Sequence, residues 1–257
     1  MKALSPITVA FGLAATAMLC AINSARAAYH LWDVNEVYSS ADGTVQFIEL
    51  RALSGAQQNL GTFSASIRST NAAGVNSFTF PTNLPSDTSG KTCIIGTSNL
   101  ASIPGGVIPN YVIPANFIRP PAPGGTASVQ FVPPSFAIVN AAFTNLPTDG
   151  DSSLLRSGAS MIVVPTNSAK NFSDQSNTIV PVKFLSANRI GTNFVMSFRT
   201  ATGPNNSAGP NYGVEFKNAV TNGSWTTLSN IVGDGTTKSV SNAIVSSPQR
   251  LFRLRVP

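Results

Sequence analysis

Few side chains in this sequence have the types and spacing that chemistry needs. Glu36 and Glu49 are the first candidates, Asp149 and Asp151 the second, with one histidine, His30, and one cysteine beyond the leader, Cys93. Paired carboxylates can share a proton, hold a cation, or act as the acid and base of a glycosidase. His30 offers a different chemistry. Cleavage of the leader after Ala27 would leave Ala28-Tyr29-His30 at the mature terminus, and a free amine with histidine in third place can wrap Cu(II) or Ni(II) in square-planar nitrogens. Cleavage one residue later would abolish that site. With a single histidine, a Ser-His-Asp triad is disfavoured. A His/Cys zinc cluster, a phosphate-cradling glycine loop and a Gly-x-Ser-x-Gly elbow are all missing from the sequence. Thr148-Asp149-Gly150-Asp151-Ser152 has too few regularly spaced oxygens for a calcium loop and reads as a turn.

The elements that must position the glutamates lie between His30 and Arg51. Asp42-Gly43 separates two runs rich in β-branched and aromatic residues, which is a hairpin signal. Apolar residues fall on both faces of the second run, as in a strand buried on both sides. A two-residue turn at Asp42-Gly43 would pair Tyr38 with Phe47 and Glu36 with Glu49. Like charges directly opposite destabilise a strand pair. The sequence therefore allows a bound cation, a shared proton, a longer Ser39–Thr44 loop, or neutralisation by Arg51, Arg68 or Lys91.

Val34-Asn35-Glu36-Val37 and Gln46-Phe47-Ile48-Glu49-Leu50 resemble the opening of the lamin-tail-like domain, an immunoglobulin-like β-sandwich of nuclear lamins and exported bacterial proteins. Phe78-Thr79-Phe80-Pro81, the run from Gly90 to Gly96, and Gly150-Asp151 ahead of Leu154-Leu155 extend the resemblance over about residues 29–165. The Pro/Gly-rich stretch from Ile103 to Pro134 departs from it. The resemblance implies a binding or architectural module and no catalytic residues.

Met1–Ala27 reads as a secretory signal, with Lys2, an apolar core from Ile7 to Ile22, and an Ala25-Arg26-Ala27 cleavage site. No later run approaches a membrane span, so a mature chain without a transmembrane segment, in the periplasm, at the cell surface or outside the cell, is expected. Loss of the leader removes Cys20 and leaves Cys93, which reads as a buried thiol. Short apolar runs between Gly, Pro and Asn indicate an all-β chain. The expected organisation is two immunoglobulin-like antiparallel sandwiches in tandem after the signal peptide: residues 28–165, a polar linker over residues 166–178, and a small basic sandwich over residues 179–257. Ile103–Pro134 is expected to be a long surface excursion, its aromatics Tyr111, Phe117 and Phe131 either anchoring it or forming a sugar platform.

In the last segment Phe194, Met196 and Phe198 alternate with polar neighbours, and Phe252, Leu254 and Val256 oppose Arg253 and Arg255. Tyr212 to Phe216, Gly223 to Leu228 and Gln249 to Val256 resemble fibronectin-type-III-like or immunoglobulin-like modules at the C-terminus of exported bacterial proteins, which implies a spacer or adhesion role. From Ile179 onward eight basic residues stand against two acidic ones, while the mature first segment has six basic against eight acidic. A basic face carrying Arg253 and Arg255 suits acidic envelope polymers. No basic run interleaved with aromatics points to nucleic acid. The expected function is a non-catalytic binding or scaffolding protein, with no cofactor, attached to a cell-envelope polymer, polysaccharide or extracellular protein. The alternatives are a carbohydrate-recognition module and, after it, a carboxylate-dependent hydrolase.

Overall fold

The computed structural model describes residues 29–221, 223–243 and 249–257. Met1–Ala27, read above as a secretory signal, and its expected cleavage site lie outside the described residues.

The first hairpin pairs β1 (Trp32–Ser39) with β2 (Gln46–Ala52). Glu36 sits opposite Glu49 and Tyr38 opposite Phe47. The loop is nevertheless longer than two residues. Ser40 N donates to Val45 O, and Asp42 Oδ1 accepts from Thr44 N and from the hydroxyls of Ser40 and Thr44. Gly43 supplies the left-handed residue at φ +67°. A four-residue loop centred on the same two residues preserves the register, so two readings that the sequence set apart are both realised. A bulge between Val34 and Glu36 shifts the phase of β1. It turns Trp32, Val34 and Val37 to one face and Glu36 and Tyr38 to the other.

The chain continues through β3 (Ser66–Asn71), β4 (Gly74–Thr79), β5 (Thr92–Thr97), β6 (Tyr111–Ile113), β7 (Ala127–Val132), β8 (Val139–Phe143), β9 (Ser153–Ser157) and β10 (Ser160–Val164). They form a six-stranded sheet ordered β10-β9-β1-β2-β5-β6 and a four-stranded sheet ordered β4-β3-β7-β8. Between them lies a core that includes Trp32, Leu50, Ile67, Cys93, Val129 and Phe131.

The stretch from Ile103 to Pro134 is not the surface excursion the sequence predicts. It contains β6, which pairs in parallel with β5, and β7, an inner strand of the four-stranded sheet. Its prolines fall outside these strands, where a missing N–H breaks no ladder bond. Tyr111, Phe117 and Phe131 are buried at 5%, 2% and 0% exposure, and the Tyr111 hydroxyl donates to Thr82 O. These aromatics anchor the core and offer no platform to a sugar.

The segment over residues 166–178, expected as a linker, folds against the first sandwich. It forms a small ladder of β11 (Ala169–Lys170) and β12 (Ser176–Asn177), with Asn167, Ala169, Asn171 and Phe172 buried. Its polar residues are structural. Asn167 bonds Asp151 O, Ile179 N and Ile179 O, and Asn171 Oδ1 accepts from Ser173 N and Gln175 N. A second core joins Tyr38, Phe47, Ile94, Leu100, Ala169 and Ile179, on the far side of the six-stranded sheet. That sheet is therefore covered on both faces.

The last six strands are β13 (Phe184–Ile190), β14 (Asn193–Arg199), β15 (Asn211–Lys217), β16 (Thr226–Val232), β17 (Thr237–Ala243) and β18 (Leu251–Arg255). They make two three-stranded sheets, β13-β14-β17 and β16-β15-β18, around Met196, Phe198, Tyr212, Val214 and Val240. Phe252 and Leu254 pack against this core, as their alternation predicts. Among the described residues no helix is long and apolar enough to cross a membrane.

Candidate functional site

The bulge in β1 and the register of β2 bring Glu36 and Glu49 together on the covered outer face of the six-stranded sheet. Both are buried, at 0% and 3% exposure. Ser168 donates its backbone N–H to Glu36 Oε1 (2.9 Å) and its hydroxyl to Oε2 (2.7 Å). Lys170 N donates to Glu49 Oε2 (2.8 Å), and Asn35 Nδ2 donates to Oε1 (2.7 Å). Asn35 is the bulged residue, which is how its side chain reaches across the strand pair. Burial, and then the charge of Glu36, push the Glu49 carboxyl up to about 7, against the opposing pull of the Lys170 N–H and the Asn35 amide. Two carboxyls buried on opposite strand positions favour the protonated form of Glu49.

The cations that the sequence offered as neutralisers are elsewhere. Arg51 lies 3.7 Å from Asp33, Lys91 pairs with Asp174, and Arg68 is exposed on β3 in the other sheet. The metal reading of Glu36 and Glu49 does not fit either. All four carboxylate oxygens already accept from N–H or O–H donors, and among the described residues no group of three or more His, Cys, Asp or Glu is placed to hold a metal. The covering strap also closes the pair to a substrate. Ser168 and Lys170, the residues that dress the pair, lie more than 110 positions away in a run whose composition reads as solvent-exposed, and no local pattern marks them.

His30 is held by stacking. Its ring lies parallel to Phe136, with centroids 3.8 Å apart, and edge-on to Tyr29. Its Nδ1 is buried without a hydrogen-bond partner among the described residues. The amine that a copper or nickel site needs belongs to Ala28, outside the described residues. Asp149 and Asp151 divide into a turn and an ion pair. Asp149 caps Asp151 N and Ser152 N, while Asp151 meets Lys183 (3.0 Å) and Arg199 (3.4 Å). The Cys93 thiol is fully buried, and burial raises its pKa far above the ordinary value.

The second candidate site is the outer face of the β16-β15-β18 sheet. Glu215 on β15 lies directly opposite Arg253 on β18. Arg253 Nε sits 2.6 Å and Arg255 Nε 3.7 Å from its carboxylate, whose side chain is only 10% exposed while the arginines are 41% and 55% exposed. Trp225, just before β16, takes the guanidinium of Arg253 at 4.4 Å and the ammonium of Lys217 at 5.0 Å from its ring centroid. One carboxylate thus pairs with two arginines, and Lys217 joins Arg253 at the same aromatic ring, a local excess of positive charge. The sequence singled out both arginines and the strand that carries them; Glu215 and Lys217, which share their face, were readable from the same alternation.

A cleft of about 520 Å³ runs between loops of the two sandwiches, past Gly105, Gln175, Asn177, Thr202, Gly203 and Pro210. Among the described residues no titratable side chain lines it. No protein-family model matches the chain, and no curated protein matches it either.

Proposed function

We propose that this is an exported, non-catalytic binding protein that attaches to acidic polymers of the cell envelope through the outer face of its second sandwich. The observation that carries the reading is the cluster of Lys217 and Arg253 at Trp225 with Arg255 beside them on Glu215, the acidic member among the described residues. Arginine forks suit phosphate and carboxylate groups, and an aromatic edge adds contact area to a chain lying across the sheet. The first sandwich is read as a lamin-tail-like scaffold. In support, the stretches that carry that resemblance in β1, β2, β5 and β9 lie side by side in one sheet. Export rests on the signal-like Met1–Ala27.

The test is co-sedimentation of the full-length mature chain with envelope fractions and with insoluble anionic and neutral polysaccharides at low and high salt. Binding to the anionic material should weaken as salt screens the face, and Arg253→Glu with Arg255→Glu should lower it by roughly tenfold or more. Binding that ignores both salt and the double substitution, or no binding to anionic material at all, overturns the reading.

A further inference from the structure

We infer that the buried Glu36–Glu49 pair is a latch: with a proton on Glu49 the pair keeps the strap over residues 166–178 on the first sandwich, and ionisation of both carboxyls loosens the strap and the second sandwich tied to it.

The geometry supplies each part. Three of the four hydrogen bonds to the pair come from the strap, two from Ser168 and one from Lys170. The strap is also held by the hydrogen bonds of Asn167 and Asn171, by the ion pairs of Asp174, and by the buried side chains of Ala169 and Phe172. Its own ladder has two residue pairs, and its other ties near the pair include Thr92 Oγ1 to Lys170 O (2.7 Å) and Phe172 N to Asn110 Oδ1 (3.1 Å). The hairpin beneath it has seven paired positions and a core on either side. If the pair must be rehydrated, lifting the Ser168–Lys170 end of the strap opens a two-pair ladder, whereas separating β1 from β2 opens seven pairs.

The strap also bridges to the second sandwich. Asn177 Nδ2 donates to Thr202 O (3.0 Å), Thr202 Oγ1 donates to Asn177 Oδ1 (3.0 Å), and Ser176 N donates to Asn205 Oδ1 (3.0 Å). A loosened strap therefore loosens these contacts as well.

The groups around the pair leave it the titrating element. Lys170, from the strap, has its ammonium 3.0 Å from Asp174, and its charge opposes the rise of the Glu49 carboxyl without cancelling it. Leu155 of β9, opposite Glu36, is apolar. Tyr38, on the same face of β1, donates its hydroxyl to Gly150 O, and burial raises its pKa beyond the neutral range. Cys93 belongs to the core on the other face of β5, and its thiol stays protonated. An ionised Glu49 accepts the Lys170 N–H more strongly. The cost of a second buried charge beside Glu36 exceeds that gain, which is why burial and Glu36 move the group upward despite both donors.

The test is hydrogen exchange of the full-length mature chain, read as protection factors corrected for intrinsic rates. From about pH 5.5 to about pH 8.5, protection at Ser168 and Lys170 should fall roughly tenfold or more, while β2 and β5 amides hold theirs. Glu49→Gln should keep the strap protected at both values. Equal protection at both values in the unmodified chain, an equal loss across β2 and β5, or an undiminished loss in Glu49→Gln overturns the latch. Should Glu49→Gln fail to fold, carbon-13 titration of the unmodified chain decides: a Glu49 carboxyl titrating near neutrality supports the latch, and one titrating in the ordinary carboxylate range overturns it.

Discussion

Each sandwich has a glutamate directly opposite a charged residue on its neighbouring strand, and the two solve the same problem in opposite ways. In the first, Glu36 faces Glu49 on a sheet face sealed by the strap. In the second, Glu215 faces Arg253 on a face open to solvent. Opposite charges across an exposed pair need nothing more. Like charges across a buried pair need a proton and a full set of donors, and the chain folds a distant segment back to supply them. The first sandwich thus spends its charge on holding itself together, while the second displays its charge. The net balance of each half follows the same division, slightly acidic in the first and strongly basic in the second.

The sharpest way to break the first arrangement is Glu36→Ala. Near pH 5.5, where Glu49 carries its proton, this substitution leaves the N–H and hydroxyl of Ser168 facing an empty, buried site. Two orphaned donors and the lost volume should cost about 3 kcal/mol, read as a lower urea midpoint with an unchanged slope. A loss below about 0.5 kcal/mol would mean that the strap is not anchored by these bonds.

Glu49→Gln sharpens the comparison through its sign. The Glu49 carboxyl is raised above its unfolded value, so the native state holds more protons than the unfolded chain between about pH 4.5 and about pH 7. The stability it contributes is complete below that window and is lost as pH rises through it. The unmodified chain should therefore lose about 3 kcal/mol across the window from this group alone. Glu49→Gln removes the dependence and should be more stable than the unmodified chain by about 2 kcal/mol near pH 8, because a neutral amide replaces a buried charge. Parallel pH profiles for the two proteins would refute this.

The hairpin and its register from Glu36 to Ser39 were legible because Asp42-Gly43 sits between two β-rich runs whose side chains alternate with a period of two, whereas the partners beyond the bulge at Asn35 were not. The last strand was legible for the same reason, with Phe252 and Leu254 alternating against Arg253 and Arg255. What was not legible is what covers a face. Thr166 to Thr178 has the composition of a linker because its asparagines and serines are polar, yet Asn167 and Asn171 are buried as hydrogen-bond partners for backbone, and Ser168, though exposed, bonds the acid pair. The Ile103–Pro134 stretch misled through its prolines, which flank β6 and β7 without interrupting them. In both cases composition reports whether a residue can bond to water and is silent on whether the fold provides a substitute. The acid pair was readable as a juxtaposition, and its resolution depended on Ser168 and Lys170, which only tertiary structure brings near.

Glu215→Gln completes the comparison, because the same substitution in the second sandwich should act in the opposite direction and more weakly. It removes the only carboxylate between Arg253 and Arg255 and leaves two guanidinium groups beside Lys217. The arginines are substantially exposed, so water and salt screen them, and the cost should be about 1 kcal/mol or less at low salt and smaller at high salt. Across neutral pH the penalty should be flat, in contrast to the steep profile of Glu49→Gln. Because the substitution makes the face more positive, it should also strengthen co-sedimentation with anionic polymer at low salt while slightly destabilising the fold. A drop in both would mean that Glu215 orders Arg253 and Arg255 into the arrangement that binds, and that geometry rather than net charge governs the face.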